Sequence, residues 1–373
     1  MRKNIITGVS LVALSAGMAQ AGGFELQTLD TSIMYADGNQ ASISYASIDA
    51  SVEGYNALLG AATKKAVVKD QTVTNVAAKF DVGESLSFGL STYRSGAIQL
   101  DGGNAADAGV NLAPTGDVDM DTTAMMLNYK LNDNISLIGG MTQNTLKAGN
   151  VTTLGGSYDV SGTSEQGYFV GAAYSIPEIA LRAELTYQPK TDFATTTSYT
   201  PSAGATLAGA FALPNSATTL SLPDTIAFNF QTGIAADTLL TASYRKASWG
   251  KSQINIAAPV AIATEFSDST SYSVGVGRKF TDNLSGSITY SKEDGSDSTS
   301  TSLFTVSNGS EAISIGLQYK LDNMTISGGV SQRNVGDVTV DPGFVAPSPL
   351  AGQTMVYSGN SVTAMGLKIA FAF

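Results

Sequence analysis

The sequence predicts an all-β protein: a transmembrane antiparallel β-barrel of 14 strands with a short N-terminal arm or plug. Three observations carry this expectation. Segments of about ten residues alternate apolar and polar side chains, the length and period of a tilted strand crossing a bilayer. Tight turns rich in Asn, Asp, Gly and Pro join these segments in pairs, and longer polar or Gly-rich stretches separate the pairs. The chain opens with a leader-like segment, yet no later stretch reaches 18 consecutive apolar residues, so helical spans are not expected.

At the start, Arg2 and Lys3 precede the apolar run IITGVSLVALSAGMA and then Ala19-Gln20-Ala21. A basic region, a short apolar region and a small-x-small site read as a secretory signal peptide over residues 1–21, cleaved near Ala21. A membrane-anchoring helix is the alternative, but the run contains Gly, Ser and Thr and falls short of the roughly 20 apolar residues a span needs. No cysteine follows the site, which removes a lipid anchor. Residues 22–40 then leave room for a short plug or arm before a barrel over 41–373.

Composition narrows the function. The chain has no Cys and no His, so thiol chemistry, Ser-His catalysis and imidazole metal ligation are absent. Net charge is −11, which argues against nucleic acid as a partner. Charged residues are only 14% against 43% hydrophobic, where soluble domains carry about 25% charge. Enzymatic activity, cofactors and metals are not expected.

The strands expected in order are 41–49, 72–81, 85–94, 120–131, 135–146, 164–176, 179–189, 222–234, 238–249, 269–280, 284–292, 310–321, 324–334 and 360–373. Short turns fall at 82–84, 132–134, 177–178, 235–237, 281–283 and 322–323. Alternation assigns the faces. Ile313, Ile315, Leu317, Tyr319 and Leu321 point one way; Ala312, Ser314, Gly316, Gln318 and Lys320 point the other. Leu181, Leu185 and Tyr187 oppose Arg182, Glu184 and Thr186 in the same manner. With lipid as the outer solvent, the apolar set faces out. An antiparallel sandwich would alternate too, but it leaves the leader and the aromatic rims unexplained. Those rims comprise Phe80, Tyr129, Tyr174, Tyr187, Tyr244, Phe280, Tyr290, Tyr319 and Phe371. The last strand, MGLKIAFAF, must pair with the first, because an open edge in hydrocarbon costs several kcal/mol per group. Its terminal Phe373 resembles the signal that bacterial outer-membrane proteins present to their assembly machinery.

The stretch 221–251, SLPDTIAFNFQTGIAADTLLTASYRKASWGK, carries a sharper likeness. Leu-Pro-acid at a strand start, a tight turn and a strand ending in Ser-Trp resemble the FadL/TodX family of outer-membrane transporters. The resemblance implies a monomeric 14-stranded barrel with an N-terminal plug, taking up long-chain fatty acids or hydrocarbons through an apolar outer groove and releasing them sideways through the wall. The Asn-Pro-Ala of that family's plug is missing here.

Three long loops are apolar: 203–213, 254–263 and 343–351. Exposed apolar patches mark binding surfaces, so Leu207, Phe211, Leu213, Ile254, Ile256, Val260, Ile262, Phe344 and Val345 are the candidate groove for a hydrophobic small molecule. Packing of these loops as a lid is the other reading. Arg245, Arg182 and Lys279 are candidate lumen contacts, with Arg245 the best partner for a carboxylate; Arg182 and Glu184, two residues apart on one face, suggest a structural ion pair. Lys79, Lys130, Lys279, Lys320 and Lys368 should ring the short-turn mouth, and Trp249 should anchor at the interface. Acidic residues, including Asp101, Asp117, Asp119, Asp121, Glu293 and Asp294, are expected in solvated long loops beside lipopolysaccharide. A general diffusion porin is the competing function; it should show opposing Arg and acidic clusters at a constriction.

Overall fold

The computed structural model describes residues 24–102, 112–202, 213–256, 264–343 and 351–373. The leader expected over 1–21 lies outside them. Fourteen strands form the wall: β1 Gln40–Ser51, β2 Gln71–Val82, β3 Leu86–Asp101, β4 Thr115–Lys130, β5 Ile135–Leu146, β6 Thr163–Ile176 and β7 Leu181–Gln188, followed by β8 Thr225–Ala235, β9 Thr238–Ala247, β10 Ser269–Lys279, β11 Leu284–Glu293, β12 Ser310–Leu321, β13 Met324–Val335 and β14 Asn360–Ala372. Every neighbouring pair is antiparallel. The cylinder closes where β1 pairs with β14, from Gln40↔Ala372 to Ser51↔Ser361. All 14 expected strands are present, most with ends shifted by a few residues and two extended further. No helix among the described residues is long and apolar enough to cross a membrane.

The faces follow the alternation. Ile313, Ile315, Leu317, Tyr319 and Leu321 are exposed on the outside, whereas Ala312 is buried. All nine aromatic residues expected at the rims are exposed on the outer surface. They form two belts: Phe80, Tyr129, Tyr174, Phe280, Tyr319 and Phe371 near the short turns, and Tyr187, Tyr244 and Tyr290 toward the long loops. The turns explain themselves. Gly83, Asp237 and Asp322 adopt positive φ of 74°, 56° and 40°, a region in which Gly, and to a lesser degree Asp, is tolerated.

Two strands run longer than expected. β3 extends to Asp101 and β4 begins at Thr115, so Asp117, Asp119 and Asp121 lie in a strand, not a loop. Glu293 is likewise the last residue of β11 and is buried. The pattern hid these extensions because, beyond the bilayer, the outer face is polar and alternation fades. Short strands also build up the long-loop end. Gly149–Thr153, Gly156–Val160, Thr191–Pro201, Leu213–Leu222 and Asn255–Ile256 continue the main sheet, and five others form a small second sheet.

The outward position of Ile315 yields a test. Ile315→Arg should cost about 2–4 kcal/mol of folding free energy in vesicles, the penalty for a cation on the lipid face. Gln318→Arg, on the lumen face, should cost far less; chemical denaturation of the vesicle-inserted protein measures both.

Candidate functional site

An arm of the chain, residues 24–39, runs along the inner wall from the long-loop end to the short-turn rim. At its top, Phe24 and Leu26 act as an extra strand edge for β3: Ala97 N–H donates to Phe24 O at 2.9 Å and Leu26 N–H to Ser95 O at 3.0 Å. Gly96 makes this approach possible, since a Cβ there would fall 2.8 Å from the Phe24 ring. Phe24 packs edge-on against Trp249 at 5.1 Å and tilted against Phe266 at 6.1 Å. Below it, the Glu25 carboxylate meets the Arg245 guanidinium at 2.6 Å. Further down, Thr31 donates to Glu184 at 2.6 Å, Arg182 stacks on the Tyr35 ring at 4.3 Å, and Ile33 and Met34 join Met126, Ile138 and Phe169 in an apolar cluster. At the rim, Lys79 donates to Ala36 O and Gly38 O at 2.6 and 3.0 Å.

The arm divides the interior into two chambers. Above Phe24 lies an apolar cavity of about 50 Å³ whose walls include Ile98, Val118, Leu146, Tyr158, Leu220 and Ile254. Burial pushes the Tyr158 hydroxyl up to about 12, the signature of surroundings that disfavour charge. Asp119, at the edge of this cavity, is engaged by Arg94. Below Phe24 lies a polar chamber of about 460 Å³, lined by Ser, Thr and the charged side chains Glu25, Arg182, Glu184, Arg245, Glu293 and Arg333. Between the chambers Thr122, Ser95 and Asn144 form a hydrogen-bonded floor, with contacts of 2.7 and 2.8 Å.

Among the described residues the wall ladder stops short of the long-loop end at two places, between β6 and β7 above Val170↔Tyr187 and between β2 and β3. β2 and β3 pair from Val82↔Leu86 up to Val76↔Thr92 and then part. A bulge between Arg94 and Gly96 turns β3 inward, where the arm takes over its edge. The strands approach again at Lys69 N–H to Gln99 O, 3.1 Å. This window is level with Tyr45 and Ser47 of β1.

No family model and no curated protein matches the sequence. Solved structures do match it. A FadL homologue of Pseudomonas aeruginosa superposes with TM-score 0.74 at 14% identity, covering 92% of both chains. The Pseudomonas putida toluene transporter TodX gives 0.64 at 12%, covering 96% of this chain and 99% of that one. The Ralstonia pickettii toluene transporter TbuX gives 0.63 at 11%, covering 96% and 97%. The fold is that of the FadL/TodX barrels.

Within this FadL/TodX-type barrel the expected site residues separate. Ile254 lines the apolar cavity. Leu213 and Ile256 lie in the short strands that cap it. Leu207, Phe211, Val260, Ile262, Phe344 and Val345 lie outside the described residues. Arg245 and Arg182 face the polar chamber, but Lys279 does not: it pairs with Asp282 of the adjacent turn at 2.7 Å. Three expectations are corrected. Arg182 and Glu184 do not pair with each other, because Tyr35 covers the first while Thr31 and Asn229 hold the second. Trp249 is no interfacial anchor but is buried, drawn in by Phe24 and Phe266. Nor do all the mouth lysines form an open ring, since Lys79 is buried under the arm and bound to Asp81 at 2.7 Å. Phe24, Glu25 and Gly96 escaped notice because the arm has no strand periodicity and its partners are about 70 and 220 residues away.

The Glu25–Arg245 pair is testable. Arg245→Ala strands a buried carboxylate and should cost about 3 kcal/mol, the scale for breaking one side of a buried pair. Adding Glu25→Ala should restore most of that loss. Thermal melts of the four proteins of the cycle, with proteolysis of the arm as a second readout, measure the coupling.

Proposed function

We propose that this barrel resides in the outer membrane, after removal of the leader near Ala21, and takes up small hydrophobic compounds. The observation that carries the reading is the apolar cavity set on β3 beside the β2–β3 window and above a polar, charged chamber. A greasy molecule that reaches the cavity gains nothing by descending, because the chamber below is lined with hydroxyls and ion pairs. The sideways path through the window leads to lipid at the outer edge of the apolar band. Release into the membrane is therefore the downhill direction.

Within the hydrophobic class, uncharged hydrocarbons fit better than fatty acids. A carboxylate would need a cation, and both nearby guanidinium groups are taken: Arg245 by Glu25 and Arg94 by Asp119. That two of the neighbours named above are toluene transporters supports the same choice. The free space of about 50 Å³ is smaller than the roughly 150 Å³ cavity that accepts benzene in an engineered protein. Loading therefore requires a side chain to move, and Phe24 sits on a segment that is not part of the wall. The protein acts as a monomer with no cofactor and no catalytic step, and Phe373, at the short-turn rim against Phe80 at 5.8 Å, is the element offered to the assembly machinery.

Trp249 is the single tryptophan and reports on the cavity directly. Toluene or hexane should quench its fluorescence in the detergent-solubilised protein at concentrations where free indole is unaffected. Ile98→Trp, at a side chain that faces the cavity, would fill the space above Phe24 and should cut hydrocarbon transfer into proteoliposome membranes at least tenfold, with the barrel still folded by its resistance to unfolding in cold detergent. A large, steady ion current in planar bilayers, without hydrocarbon binding, would instead identify a diffusion porin.

A further inference from the structure

Between β9 and β10 the chain leaves the wall and returns, and one side chain joins the two ends of that excursion. The Gln253 amide lies between residues 249–250 and residue 266. Its Nε2 donates to the carbonyls of Trp249, Gly250 and Phe266 at 3.2, 3.3 and 2.9 Å. Its Oε1 accepts from the Phe266 N–H at 2.9 Å and from the Thr264 hydroxyl at 3.0 Å. Thr264 Oγ1 in turn accepts from the Ile254 N–H at 2.9 Å. The primary amide does for Phe266 what a neighbouring strand would do, since it meets both backbone groups of one residue. Asp268 adds a tie two residues on, accepting from the Gly250 N–H at 3.0 Å. Among the described residues, 264–268 make no backbone–backbone hydrogen bond.

The stretch so held is a partition. On one side lies the apolar cavity, whose walls include Ile254 and Thr264. On the other lies an outer pocket of about 400 Å³, bordered by Gln253, Thr264, Glu265 and Phe266 and by hydroxyls such as those of Ser296 and Thr305. Thr264 is common to both. Three rings meet beside the cavity, and Phe266 packs edge-on against Trp249 at 5.6 Å. Phe24 is tied to β3 through the two backbone bonds given above, whereas the backbone of Phe266 is held by Gln253 alone. We propose that Gln253 is the latch of the apolar cavity. While its amide holds Phe266, the cavity keeps its closed size; when it lets go, Phe266 turns toward the outer pocket and the cavity admits a hydrocarbon. This assignment rests on the uptake reading of the same cavity. The outer pocket has room for the ring, since a space of roughly 150 Å³ takes a benzene. Its polar lining also solvates the groups that Gln253 releases, so each lost hydrogen bond is exchanged for another. Gln253 thereby sets the fraction of molecules ready to load, and the observed association rate scales with that fraction.

The test reads Trp249 in the full barrel in detergent. Acrylamide quenching needs no hydrocarbon and reports on the latch alone. Gln253→Leu, which keeps the bulk of the side chain and removes its hydrogen bonds, should raise the quenching constant at least threefold. Stopped-flow mixing with toluene should show association at least tenfold faster in Q253L, a Kd lower by the same factor and a dissociation rate within twofold of the wild type, because only the ready fraction has changed. Gain of affinity marks a released latch; removing a side chain that merely supports the fold would weaken binding. Gln332→Leu, on the exposed face of β13, should match the wild type in both assays. Unchanged quenching, or slower or weaker toluene binding in Q253L, overturns the proposal. Should Q253L not fold, Thr264→Val, which removes the hydroxyl bonded to Gln253 Oε1, must raise both quenching and association at least twofold. If toluene binds neither the wild type nor the variants, the uptake reading fails, and acrylamide still decides the latch.

Discussion

A strand that crosses hydrocarbon must find partners for every backbone N–H and C=O, because no water is there to serve as one. This demand organises the whole molecule. It closes the sheet from β1 to β14, it gives each strand the alternation of a lipid face and a lumen face, and it makes any break in the ladder conspicuous. β3 leaves its β2 neighbour just where the apolar band ends, and the freed groups of β3 are met by the backbone of Phe24 and Leu26. The opening in the wall exists because the arm supplies the missing hydrogen bonds from inside.

The same arm sets the chemistry of the interior. Its ends are apolar and its middle is polar. Phe24 closes the apolar cavity, Glu25 and Thr31 engage Arg245 and Glu184 in the polar chamber, and Ile33 and Met34 fasten the lower end. One segment thereby separates an apolar compartment from a polar one within a single cylinder. The lumen wall is divided to match: β4–β6 present Met126, Ile138 and Phe169 to the arm, while Ser243 and Ser273 on β9 and β10, and Ser314 and Ser331 on β12 and β13, are hydrogen-bonded in pairs across strands.

The barrel was legible because its rule is local. Period-two alternation over about ten residues and a turn residue at each reversal suffice to find strands, faces and the seam. The site was only partly legible, for reasons that differ from residue to residue. Arg245 is legible as an inward cation by parity and by its depth in the strand, but its partner Glu25 lies 220 residues away in a segment without periodicity. Trp249 was misplaced because an aromatic residue at a strand end looks the same whether it meets lipid or a buried Phe. The bulge at Ser95 leaves no mark at all, since Tyr93-Arg94-Ser95-Gly96-Ala97 reads as an ordinary strand. Long-range pairing, not composition, decides those positions.

The lower rim joins three things that are distant in sequence. Asn39 accepts from the Asp81 N–H through its side chain at 2.9 Å and from the Phe373 N–H through its carbonyl at 3.1 Å, while Lys79 grips the carbonyls of Ala36 and Gly38. The root of the arm is thus stitched into the junction where the earliest and latest strands meet. One asparagine shares its two acceptors between β2 and the residue that ends the chain, so a change at Asn39 is felt at the seam and at the arm together.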